Sequence, residues 1–335
     1  MTAIKEIRDQ LPKIQRFGPG LVGVFVGGTS GIGESTAREF VRYAVSPRVY
    51  LIGRSQEAAT RIQREFQELN SSSEVRFIKA DVSQLRSVDD APRNKDQPAL
   101  SVCWHFPLQR TRSKMYVLFA NEVPETPEGL DRRFALDFYS RLRFTENMLP
   151  LLREVVRDVS AESNAQSPRL ASVVSVLGAG REKSIDTSDL PLKHKYSLGA
   201  CTQHATTMTT LSFARLAADQ NNAGITFFHT RPGIVKTNAD RELGPAFRVL
   251  LGAFSKVFKA WTVPVRDAGE RGLWAATSSA FEPGQLHLVA ENSERLNNGK
   301  ILKQLEDDGT SSKIWEHTQD VFQAICYNPA GKYQQ

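Results

Sequence analysis

Apolar residues along this chain fall into short unbroken runs, and each is followed by a stretch whose apolar positions recur every three or four residues. Runs of the first kind suit strands buried on both faces, and stretches of the second suit amphipathic helices. Residues 1–19 predict a polar helix that ends at Gly18-Pro19-Gly20. LVGVFVGG (21–28) then predicts a strand and residues 34–44 a helix, followed by the strand RVYLIG (48–53) and the helix EAATRIQREFQEL. VRFIKADV (75–82) and MYVLFA (115–120) predict the third and fourth strands, with a long helix over 129–156 behind them. LASVVSVLG (170–178), a helix over 203–220 and GITFFHTRPG (224–233) complete the series. Strands alternating with helices predict an α/β protein with a doubly wound parallel sheet.

After the first strand stands Gly27-Gly28-Thr29-Ser30-Gly31-Ile32-Gly33, opening a helix. Glycines there let the backbone turn tightly and approach a pyrophosphate, whose charge then rests at the helix N-terminus. The strand before and the helix after are the context that makes this a dinucleotide site of the Rossmann type. The spacing G-x-x-x-G-x-G resembles the short-chain dehydrogenase/reductase family. Asp81-Val82 follows the third strand, where the family's Asp meets the adenine. Asn121, in the sequence ANEV, ends the expected fourth strand. Pro232-Gly233-Ile234-Val235-Lys236-Thr237 resembles the segment that flanks the nicotinamide in the family, with Pro232, Gly233 and Thr237 as the matching positions. The second strand ends in Gly53-Arg54-Ser55, with no acid to hold ribose hydroxyls. A guanidinium there fits a 2′-phosphate, so the cofactor expected is NADP(H).

The resemblance implies an Asn, Ser, Tyr and Lys set, with the Tyr as proton donor and the Lys one helical turn on. This sequence departs from it. Tyr196 is followed four residues later by Ala200. Ala217 precedes Gly224 by seven residues, as in the family, and counting fifteen back from Ala217 reaches Thr202, which puts the Lys position on Thr206. RFALDF places Asp137 at the Asn position, while VVSVLGAG places Gly178 at the Ser and Ser175 at a strand Asn. Tyr196 then belongs to the approach loop, like the upstream Tyr that follows Asp-Leu in retinol-dehydrogenase-like members. Candidates for chemistry are therefore Tyr196, Asp137, Thr202 and Thr206. His204 falls about 200° around the helix from the Tyr position and reads as a core or interface histidine. The wider wording, from VFVGGTSGIGESTAREF to KIWEHTQDVF, is similar to a group of fungal short-chain dehydrogenase-like proteins that includes natural-product tailoring enzymes. A non-redox isomerase or cyclase and a catalytically silent NADP-binding protein stand as alternatives to an oxidoreductase.

Composition adjusts this picture only in places. Three scattered cysteines with no CxxC pair, and six histidines with no metal-ligand spacing, predict a reducing, cytoplasmic setting and no metal site. The opening residues carry no apolar run, so no secretory signal is expected, and no run is long enough to cross a membrane. The sequence pI of 9.2 is concentrated in one place. Residues 92–114 hold five basic residues and one acidic, +4 of the net +6, which is not the footprint of a nucleic-acid surface. Forty residues separate Asp81 from Asn121, about ten more than the family spacing. The segment 91–113 in between, with Trp104 and Phe106 reading as exposed, is either a partner-binding insertion or a gene segment left unspliced. Phe247, Leu250, Leu251, Phe254, Val257, Phe258 and Trp261 form an apolar stripe at helical spacing. It suits either the cap of a pocket for a small lipophilic substrate or plain core packing, with contact to a membrane surface a secondary reading. The organisation expected is an N-terminal helix (1–19), a Rossmann domain (20–245) and a cap helix with a C-terminal extension (246–335), with room for a homodimer.

Overall fold

Val22–Val26 (β1) is buried at all five positions, as its unbroken apolar run requires, and lies inside a parallel sheet. The structure, a computed structural model, describes residues 3–91, 101–105, 125–157, 168–235, 262–328 and 330–334. Arg48–Gly53 (β2) and Glu74–Lys79 (β3) pair to one side of β1, and Val102–His105 (β4), Ser172–Val176 (β5) and Thr226–Thr230 (β6) to the other. Short strands Ile234–Val235 (β7) and Thr262–Val263 (β8) pair with each other, and Leu286–Val289 (β9) adds a seventh strand beside β6. Among the described residues the sheet order is β3-β2-β1-β4-β5-β6-β9. The order reverses between β1 and β4, and ligands of open α/β sheets bind at that crevice.

The fourth strand corrects the sequence reading. Val102–His105, inside the segment expected to be irregular, fills the slot between β1 and β5 that MYVLFA was expected to take. Residues 115–120 and Asn121 lie outside the described residues, as do Thr237 and the stripe over 247–261. Trp104 is fully buried rather than exposed, stacked on Phe25 at 4.5 Å between ring centroids and 11° between planes. Four residues flanked by prolines give too short a run to register as a strand. Only the pairing with Gly23–Val26 reveals it.

Period-two alternation sorts the sheet into two faces. Phe25, Leu51, Trp104, Val174 and Phe228 point into one core with helices Gly31–Tyr43 (α2), Gln56–Leu69 (α3) and Val265–Thr277 (α7). Val24, Val26, Tyr50, Cys103 and Phe227 point into the other. That core packs Leu85–Asp90 (α4), Ser140–Arg157 (α5), Leu198–Ala218 (α6), Gly299–Asp307 (α8) and Thr310–Cys326 (α9). The first helix, Ile4–Gln10 (α1), is polar outward but buries Ile7, and Leu11 and Ile14 follow on the same side. Arg8 clamps it to α7 through Glu270 and Asp267, each at 2.8 Å. No described helix is long and apolar enough to cross a membrane.

Candidate functional site

The carboxyl end of β1 runs into the glycine turn. Gly27 (φ 81°) and Gly31 (φ 59°) occupy the left-handed region that a side chain disfavours. A Cβ on Gly28 would lie 2.6 Å from that of Phe25. Ser30 precedes α2 in extended conformation, so the turn delivers the positive end of the helix macrodipole to the crevice. Thr29 seats against Gly53 at the end of β2, which brings Arg54, exposed, to the rim of the same turn. Ile32 and Gly33 are buried beneath it. Asp81 follows β3, half-buried, and accepts hydrogen bonds from the Ser83 amide (3.2 Å), the Ser83 hydroxyl (2.8 Å) and Arg132 (3.3 Å). Val82 packs into the core. Pro232 and Gly233, half-exposed, leave β6 at the opposite side of the crevice, with Gly233 at φ 72°.

Asp137 sits in a π-helical turn, Ala135–Tyr139, at the head of α5. Such turns recur at functional sites because they widen the helix and re-aim a side chain. Its carboxylate lies 3.2 Å from Arg133 and 3.8 Å from Arg141. Arg133 also donates to the Thr202 hydroxyl (3.1 Å), which in turn donates to the Leu198 carbonyl (2.9 Å). Arg133 thereby joins Asp137 to Thr202. One turn further along α6, Thr206 is buried against Gly178, where an added Cβ would come within 2.6 Å of the Thr206 hydroxyl. Tyr196 precedes the helix cap Ser197, and its buried hydroxyl has no hydrogen-bond partner. Burial, with the Cys201 thiol beside it, raises the phenol above its ordinary range, which makes it a weaker proton donor. His204 is buried, with Nδ1 3.4 Å from the Leu190 carbonyl, and burial lowers its pKa.

Beneath these residues runs a polar row that the sequence reading did not anticipate. Register aligns His105, Ser175 and His229 across β4, β5 and β6, so their side chains share one face. Arg141, 97% buried, reaches across that row from α5. It donates to the Ser175 hydroxyl at 3.0 Å and to the Val176 carbonyl at 2.9 Å. Beside it a hydrogen-bonded chain starts at the Gly178 amide, which donates to His229 Nε2 (3.2 Å). With Nε2 accepting, Nδ1 carries the proton and faces the Thr210 hydroxyl at 2.7 Å. Thr210 donates to Glu182 at 2.8 Å, and Gly180 and Asn298 complete that carboxylate's shell. Burial, and then the charge of Arg141, push both His105 and His229 down to about 3, so both rings are neutral near pH 7. A signal existed for one member of the set. Arg141 follows Asp137 by four residues, one helical turn, which puts the two side chains within reach of one another.

Comparisons with known proteins bear on this arrangement. The family model for "short chain dehydrogenase" matches residues 22–97. Oxidoreductase AN1596 of Emericella nidulans is 33% identical over 90% of this chain and 93% of its own length. Short-chain dehydrogenase/reductase SAT2 of Stachybotrys chartarum is 27% identical over 95% of this chain and 96% of its own. Among solved structures, L-sorbose reductase from Gluconobacter frateurii, complexed with NADPH and L-sorbose, superposes with a TM-score of 0.54 at 15% identity. That match covers 83% of this chain and 98% of the reductase, and it speaks for the fold alone.

Proposed function

The chain belongs to the short-chain dehydrogenase/reductase family, and from that premise we propose that it is an NADP(H)-dependent oxidoreductase of a lipophilic carbonyl or iminium compound, working in the cytoplasm in fungal secondary metabolism. The observation that carries the reading is the glycine turn at the β1–β4 crevice with Arg54 at its rim. Positive φ at Gly27 and Gly31, and a Gly28 that tolerates no Cβ, form a cradle of backbone suited to a pyrophosphate. Gly27, Thr29, Ser30 and Gly31 would hold that group, Arg54 the 2′-phosphate, Asp81 and Val82 the adenine, and Pro232 and Gly233 the nicotinamide end. Bound there, the dinucleotide supplies or accepts the hydride. The chain's own contribution is positioning. Thr202 and Thr206 offer hydroxyls for orienting a substrate, and the Arg133–Asp137 pair fixes Thr202 from the opposing helix.

No tyrosine–lysine pair stands at Thr202 and Thr206, and the phenol of Tyr196 is a poor acid. An iminium substrate needs no proton donor during hydride transfer, which suits this set. The same observation supports a second reading, a cofactor-stabilised isomerase or cyclase that acts through the shape of the pocket. Calorimetric titration with NADPH and NADH tests the cofactor assignment: tighter NADPH is expected, and equal affinities or no binding would overturn it. Following NADPH absorbance with the pathway substrate separates the chemistries. Product formed without NADPH consumption favours the second reading, and no product at all a silent binding protein.

A further inference from the structure

A fixed, buried cation stands at the carboxyl end of β5, on the side of the sheet where the crevice opens. Arg141 leaves the first turn of α5, donates to the Leu136 carbonyl at 3.1 Å, and ends on Ser175 and Val176 at the carboxyl end of β5. Val176 is two residues before Gly178, against which Thr206 packs. The second terminal nitrogen of the guanidinium is buried and makes no hydrogen bond. Among the described residues, Asp137, at 3.8 Å, is the acid acting on it, and Arg133 competes for that carboxylate from 3.2 Å. The next side chains of the row, His105 and His229, are neutral. Glu182 stands beyond His229 and is held by Thr210, Gly180 and Asn298, while Arg231 and Glu291 neutralise one another at 2.6 Å. A guanidinium does not lose its proton in a protein, so this charge is permanent.

We infer that Arg141 biases the bound dinucleotide toward its reduced form, so that the site works as a reductase. This rests on the NADP(H) reading above. The two redox forms share every phosphate and ribose and differ by one positive charge, which the oxidised nicotinamide ring carries. A buried cation in the wall of the pocket raises the free energy of the charged ring and leaves the neutral dihydro ring alone. At an effective dielectric of about 20, two unit charges on the order of 10 Å apart interact strongly enough to change a ratio of affinities on the order of tenfold, and Asp137, 3.8 Å from the guanidinium, takes away part of that effect. For a two-electron couple, tenfold corresponds to about 30 mV in the potential of the bound pair. Arg141 reaches the ring through its field, not by contact, and so acts as a positioning residue.

The test is the ratio of dissociation constants, NADP+ over NADPH, measured by calorimetry on the full chain at low salt. The wild type is expected to favour NADPH several-fold, up to about tenfold. Arg141→Met should collapse that preference toward unity, and Arg141→Lys should keep it. Asp137→Asn removes the partial counter-charge and should raise the ratio above the wild-type value. Opposite signs at two neighbouring positions are not what general loosening of the site would give, and Asp137→Asn carries the test if Arg141→Met does not fold. Tight binding of both forms with a ratio unchanged in Arg141→Met and Asp137→Asn would overturn this inference alone. Binding of neither form by the wild type would overturn the cofactor reading and this inference with it.

Discussion

Replacing Trp104 decides whether the central strand is Val102–His105. The indole is fully buried, stacked on Phe25 at 4.5 Å and meeting the Phe40 ring edge-on at 5.6 Å. Truncating such a side chain loses its transfer free energy and leaves a cavity in a close-packed layer, so Trp104→Ala should cost about 3–5 kcal/mol. That is a large fraction of the roughly 5–15 kcal/mol that holds a domain folded. With a urea m-value of about 3 kcal/mol/M, the unfolding midpoint should fall by about 1–1.7 M. Trp104→Phe preserves the stack and removes an indole N–H that is buried without a partner, so it should cost less than about 1.5 kcal/mol. Equilibrium urea unfolding, followed by far-ultraviolet circular dichroism, reads both variants. The sequence pattern alone makes Trp104 a loop side chain, whose removal would stay within about 0.5 kcal/mol. A cost that small for Trp104→Ala refutes the strand.

Gly28→Ala forces a Cβ to within 2.6 Å of Phe25 and should cost about 1–3 kcal/mol, together with dinucleotide affinity; an unchanged melting temperature speaks against the packing described. Arg54→Ala should weaken NADPH about 10–100-fold, the loss of a hydrogen bond to a charged group, and leave NADH alone; calorimetry showing both nucleotides affected equally removes Arg54 from the phosphate site. His105 and His229 titrate at about 3 in the folded state and near 6.5 when unfolded, so between those values the unfolded chain binds more protons. Stability therefore rises with pH across that window and is lost as pH falls through it, by up to about 1.4 kcal/mol per pH unit for each ring; urea midpoints that stay flat from pH 7 to pH 5 contradict this. Tyr196→Phe should lower turnover only partially, since Thr202 and Thr206 occupy the helix positions in question, and near-complete loss would restore Tyr196 as the acid.

Much of this protein is written in local patterns. Five of the six expected strands stand within a few residues of their predicted runs; inner strands such as β1, covered on both faces, are apolar throughout, while the edge strand β3 keeps Glu74, Arg76 and Lys79. The glycine turn was legible because its spacing reflects a backbone requirement that glycine meets with the least strain at Gly27 and Gly31. Helix register puts Thr202 and Thr206 one turn apart on the unbroken helix α6, Leu198–Ala218, but that Thr206 packs against Gly178 appears only in the tertiary structure.

Other features depend on partners distant in the chain. Val102–His105 is a strand because β1 and β5 offer it two rows of hydrogen bonds and a Phe25 ring to stack on, and nothing in four residues announces those neighbours. β9 is likewise completed by β6, some 60 residues earlier, so the C-terminal residues read as an extension until the sheet claims them. The polar row is the clearest case. His105, Ser175 and His229 are ordinary members of three separate strands, and parallel register alone sets them side by side. Burial then holds the histidines neutral, while Arg141 stays charged beside them at the carboxyl end of β5. A sequence states which groups can carry charge; the tertiary structure decides which of them are kept from water and which stand next to one another, and those two conditions set the electrostatics of this site.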